Sequence, residues 1–150
     1  MTKLATKIAL FFMVILITVM VITACNRELD VLLPTPEIGK SALAGYLVNT
    51  KGTPLKNTIV RLAEVYRESE NSEEGAYILD TSFSPGTVTN ENGFFFFQNI
   101  EPIEYVIVVG DVENNNYQII PQENGRPKVW RAIEGQILDV GKLRLDFSND

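Results

Sequence analysis

The sequence predicts an all-β protein: a single antiparallel β-sandwich of about seven strands, preceded by a signal peptide and a short tether. Three observations predict it. From Ser41 onward, short runs of β-branched and aromatic residues are separated by clusters of Gly, Pro, Asn and Asp, the pattern of strands and turns. The same region carries no convincing amphipathic helix. A hydrophobic share of 45% with 21% charged residues suits a packed domain, and 150 residues leave room for one core once a leader is set aside.

The leader comes first in the chain. Residues 1–7 carry Lys3 and Lys7, and an uncharged apolar run follows from Ile8 to Ile22, ending in Thr23, Ala24 and Cys25. This is the tripartite layout of a secretory signal. Ile22-Thr23-Ala24-Cys25 resembles the lipobox of bacterial lipoproteins, a branched apolar residue and two small positions before a cysteine. The resemblance implies a diacylglycerol on the Cys25 thiol, cleavage after Ala24 and stable attachment to the membrane through two or more acyl chains. The other reading of the run is an uncleaved spanning helix, since its apolar length approaches the roughly 18 to 20 residues needed to cross hydrocarbon. The lone cysteine behind small residues favours the lipoprotein. Asn26 follows it, so the aspartate that marks inner-membrane retention is absent. The expected location is extracytoplasmic, on the cell membrane or outer membrane.

Residues 25–40, with Pro34 and Pro36 and no sustained alternation, read as the lipidated cysteine and a tether, because proline favours extended backbone. The domain then occupies 41–150. Its predicted strands are 42–49, 58–66, 76–83, 93–99, 105–109, 117–120, 129–133 and 137–146. Asn49 to Gly52 and Asn90 to Gly93 supply residues that tolerate positive φ, so each reverses the chain.

Gly45, Gly52, Pro54, Leu55, Asn57, Val60 and Leu62, followed by Asn90, Gly93, Phe95, Phe97, Ile100, Pro102 and Tyr105, resemble the carboxypeptidase regulatory-like family. That family implies a transthyretin-like sandwich over Ser41 to about Leu145. Three places depart from its pattern. Pro102-Ile103-Glu104-Tyr105 replaces a Pro-Gly-Tyr turn, an acidic stretch fills 64–75, and an Asn-rich segment fills 111–128.

Composition narrows the chemistry. Losing the leader removes Lys3 and Lys7 and no acid, leaving 11 basic against 19 acidic residues, a formal charge of −8 that repels nucleic acid and anionic headgroups. With no histidine, the commonest general base and metal ligand are missing, and Ser82 and Ser84 have no histidine to activate them. Asp80, Glu101, Glu104, Asp111, Glu134 and Asp139 are scattered among strand ends without a motif, so no enzyme activity and no cofactor are expected. Glu68, Glu70, Glu73 and Glu74, like Asp111, Glu113 and the asparagines 114–116, read as solvated loops more readily than as a calcium site, and no metal is expected. Lys40 and Asn149, the pair for an isopeptide crosslink of the pilus type, sit too near the domain ends for burial.

One feature points outward. In Phe94 to Phe97, strand alternation puts Phe95 and Phe97 on one face and Phe94 and Phe96 on the other. With Phe95 and Phe97 in the core, as the family resemblance implies, Phe94 and Phe96 form an outer apolar patch unless the tether or the acidic insertion covers it. Phe94, Phe96, Tyr117 and Trp130 are the candidate binding surface for an envelope protein, peptide or glycan. If these aromatics are buried, a structural spacer without a ligand of its own is favoured.

Overall fold

The computed structural model describes residues 32–69 and 75–146. The signal peptide, Ile22, Thr23, Ala24 and Cys25, the glutamates 70, 73 and 74, and Asn149 lie outside the described residues. Pro34–Asp150 is one compact unit that holds all the strands of the described residues. Among the described residues there is no helix.

The strands are β1 (Ser41–Asn49), β2 (Ile59–Tyr66), β3 (Ala76–Ile78), β4 (Gly86–Val88), β5 (Phe94–Ile100), β6 (Glu104–Asp111), β7 (Asn116–Ile119), β8 (Val129–Arg131) and β9 (Ile137–Leu145). They form two facing sheets. One runs β5-β1-β9; the other runs β3-β2-β6-β7, with β4 also on β2 and β8 also on β6. β3 and β4 share one flank of β2, and β7 and β8 share one flank of β6. The nine strands of the described residues therefore fill seven lanes, as a seven-strand sandwich would. Two of the lanes are split into short pieces at a sheet edge, which blunts the edge against pairing with other chains.

Alternation along each strand builds the core. Leu43 and Leu47 of β1, Val60 and Leu62 of β2, Phe95 and Phe97 of β5, Ile107 and Val109 of β6, and Leu143 and Leu145 of β9 all turn into the space between the sheets. β6 lies in the middle of its sheet, so its other face is buried too: Val106 and Val108 join Ala63 in a second apolar cluster, with Leu79, Ile119 and Val129 packed against it. That explains why 105–109 reads as an unbroken apolar run.

Three details differ from the sequence reading. The run 76–83 is not one strand: β3 stops at Ile78, and β4 is an element the sequence reading lacks. Between them the Asp80 carboxylate accepts the Ser82 N–H at 2.8 Å, the Ser84 hydroxyl accepts the Asp80 N–H at 2.9 Å, and Arg61 donates to the Thr81 carbonyl at 3.1 Å. Those bonds hold a turn where a strand was expected. The run 129–133 ends at Arg131, because Ala132 N–H turns to the Ile103 carbonyl. Finally, β9 pairs with β1 in parallel, the other strand pairs being antiparallel. The chain crosses between sheets after β8, at Glu134 and Gly135, and enters β9 in the direction of β1.

The turn lacking glycine is closed by other means. Asn99 takes the positive φ of 56° just upstream, Ile103 N–H donates to the Glu101 carbonyl at 2.9 Å, and the buried Tyr105 hydroxyl donates to the same carbonyl at 3.0 Å. Tyrosine thus ties the corner back on itself, as in other sandwiches.

Candidate binding surface

The outer face of the β5-β1-β9 sheet carries the candidate site. Phe95 and Phe97 are 1% and 3% exposed and lie edge to face in the core, ring centroids 6.1 Å apart, while Phe94 and Phe96 are half-buried on the opposite face. Register sets their neighbours. Phe94 stands opposite Tyr46, which stands opposite Lys142; Phe96 stands opposite Ala44, which stands opposite Asp139. The Tyr46 and Phe94 rings are 5.1 Å apart and tilted by 55°, a favourable aromatic pairing. Ala42 and Ala44 are buried between the bulkier side chains. The face is thus a strip of three rings on a floor of small residues, edged along β9 by Asp139, Lys142 and Arg144, all exposed.

β9 reaches this arrangement through a bulge. Its register against β1 skips one residue between Asp139 and Lys142; Gly141 there has a φ of 72°, and its N–H donates to the Asp139 carboxylate at 2.8 Å. The extra residue keeps Leu138 and Leu143 both inward and the charges outward. Opposite the bulge, β1 needs a glycine: a Cβ on Gly45 would lie 2.5 Å from Val140 Cγ2 and 2.8 Å from Phe95 Cζ.

Of the four aromatics singled out from the sequence, the structure brings only Phe94 and Phe96 together. Tyr117 is 40% exposed but sits on β7, in the other sheet, opposite Gly110. Trp130 belongs to the core, not the surface: it is 8% exposed, lies opposite Tyr105, and is capped by Lys128, whose Nζ is 5.1 Å from the ring centroid. Tyr46 joins the site instead. Only its cross-strand register reveals this, and a single sequence does not carry it.

The described part of the tether docks elsewhere. Glu37 N–H donates to Asn99 Oδ1 at 2.9 Å, Asn99 Nδ2 donates to the Glu37 carboxylate at 2.7 Å, and Lys40 pairs with Glu101. The chain is therefore held at the far end of β5. Lys40, the candidate crosslinking residue, is engaged in that ion pair. Asp111 caps its own turn, accepting the Glu113 N–H at 3.0 Å and the Asn114 Nδ2 at 2.7 Å; these bonds from Asn114 hold its carboxyl below the ordinary carboxylate value. Burial pushes the Tyr105 hydroxyl up to about 12, helped by the charges of Glu64 and Glu101. Among the described residues no three acidic or thiol side chains gather as a metal site would require.

No family model matches the chain. No curated protein matches it. Among solved structures it is similar to a 9R-lipoxygenase from Cyanothece, 16% identical, with 73% of this chain matched to 17% of that one at a TM-score of 0.36. The chain thus spans well under a quarter of that protein. It is also similar to a Pseudomonas aeruginosa protein described as a "putative carbohydrate binding protein", 18% identical, with 75% of this chain matched to 92% of that one at a TM-score of 0.39.

Proposed function

We propose that the protein is a membrane-anchored extracytoplasmic lipoprotein whose β-sandwich is a non-catalytic binding module, presenting the β5-β1-β9 face to an envelope protein, peptide or glycan. The observation that carries the binding reading is the strip of Tyr46, Phe94 and Phe96 outside the core. Aromatic rings fringed by charge are the usual anchors of a recognition surface. The anchor rests on the lipobox-like run ending at Cys25, and the want of any histidine supports a binding role over a catalytic one.

The anchor is tested by intact mass. Protein from native membranes should begin at Cys25 with added acyl mass, and Cys25→Ala should lose both the mass and the membrane fraction; an unprocessed chain would mean a helical anchor. The binding face is tested by Phe94→Ser with Phe96→Ser. Retention of the domain on immobilised cell-wall polysaccharide or envelope protein should be lost, with a fall in Tm of less than about 8 °C. A larger fall, with retention unchanged, would assign the rings to packing. The spacer reading, which the burial of Trp130 favours, would then stand.

A further inference from the structure

The two ends of the sandwich differ in chemistry. At the end where the chain enters, Glu37 is bonded to Asn99, Lys40 pairs with Glu101, and the Lys40 carbonyl accepts the Gly135 N–H at 2.8 Å. Entry is thereby pinned between the β5–β6 corner and the turn before β9. Around it stand three exposed isoleucines: Ile38 at 102%, Ile103 at 37% and Ile133 at 51%. The bond from Ala132 N–H to the Ile103 carbonyl, 2.9 Å, holds the last two corners side by side. At the opposite end the turns 49–53, 90–93 and 111–115 carry Asn, Asp, Glu, Lys and Thr, with the exposed Val88 and Tyr117 set back on the strands beside them.

Charge at the entry end is acidic on balance. Lys40 is paired with Glu101 and Arg67 with Glu104, leaving Glu37, Glu64, Glu68 and Glu134 against Arg131. Isoleucines at an acidic tip suit an uncharged or zwitterionic lipid surface, since the acids repel anionic headgroups. The chain length agrees. Only residues 26–36 separate Cys25 from the pinned Glu37, a reach of about 40 Å when fully extended.

We propose that this end rests in the headgroup layer of the bilayer that holds the Cys25 lipid, with Ile38, Ile103 and Ile133 as its contacts. The domain then stands with the polar turns 49–53 and 90–93 outward. The inference rests on the lipoprotein reading and adds an orientation to it.

The acylated full chain, purified from its native membrane and reconstituted in phosphatidylcholine vesicles, tests this directly. Glu134→Cys and Thr50→Cys are each labelled with a fluorophore and exposed to lipid carrying a headgroup-level quencher. Quenching at position 134 should exceed that at position 50 several-fold, and should drop to the position-50 level when Ile38→Ser, Ile103→Ser and Ile133→Ser are added. Equal quenching at both positions in vesicle-bound protein overturns the orientation. Unchanged quenching in the triple variant overturns the isoleucine contact. A chain without acyl mass that fails to float with vesicles refutes the anchor itself, and the inference with it.

Discussion

Tyr105 and Gly45 carry single-residue roles that no neighbour can take over. The Tyr105 hydroxyl donates to the Glu101 carbonyl, which also accepts the Ile103 N–H, so Tyr105→Phe removes one bond and keeps the ring. It should cost about 1 kcal/mol by urea unfolding at pH 8. The alkaline range gives a second readout. Burial and the nearby acids push Tyr105 up to about 12, against about 10 in the unfolded chain, so the unfolded state loses its proton first as pH rises. The stabilisation is complete below pH 10 and lost toward pH 12. The gap between the native protein and Tyr105→Phe should therefore narrow across that window; a constant gap would place the hydroxyl in solvent. At Gly45 the added methyl of Gly45→Ala meets Val140 and Phe95 at under 3 Å, and overpacking of this kind should cost about 1–3 kcal/mol in the same assay.

Among the elements, the two reversing turns share one design. In both, the first asparagine carbonyl accepts the glycine N–H at 2.9 Å, and its Oδ1 accepts two further N–H groups: Lys51 and Thr53 for Asn49, Asn92 and Phe94 for Asn90. Gly93 is fixed further by crowding, since a Cβ there would lie 2.3 Å from the Leu47 carbonyl oxygen. Asn49→Ala and Asn90→Ala should each cost about 1 kcal/mol by chemical unfolding, and Asn90→Asp, which keeps the acceptor, much less. These turns were legible in the sequence because their bonds are local. So were the long strands, whose alternation survives in β2, β5 and the second half of β9. The break between β3 and β4 was not, although its Asp80 bonds to Ser82 and Ser84 are just as local and only the Arg61 bond to Thr81 comes from another strand. Trp130 was misread because its burial follows from lying opposite Tyr105, a pairing 25 residues away in the chain. Half of the candidate surface, Phe94 and Phe96, came from local alternation, and the other part, Tyr46 with the β9 charges, from register.

At the scale of the whole molecule, the decisive feature is that the first and last strands close one sheet. β1 and β9 pair in parallel along nearly their full length, Ala42 with Ile137 through Asn49 with Leu145, and β9 also supplies Leu143 and Leu145 to the core. β1 is the centre of that sheet, so losing β9 strips one whole side of it and opens the core beneath. Losing Leu143 and Leu145 alone, at about 2–5 kcal/mol each, is comparable to the whole net stability of about 5–15 kcal/mol, before the lost strand pairing is counted. A chain ending at Glu134 should therefore show no cooperative thermal transition and should be digested at protease levels that spare the full domain. Adding residues 135–150 as a separate peptide should restore a transition that depends on peptide concentration, as expected when a partner binds only the folded state. A truncated chain that melts cooperatively by itself would show that β5 and β1 need no third strand, and that β9 is an addition to the sandwich. The same closure governs speed, since Ser41 and the Gln136 carbonyl it bonds are 95 residues apart. Contacts so distant form late, and the full domain should refold in milliseconds to seconds, in the range of other all-β sandwiches.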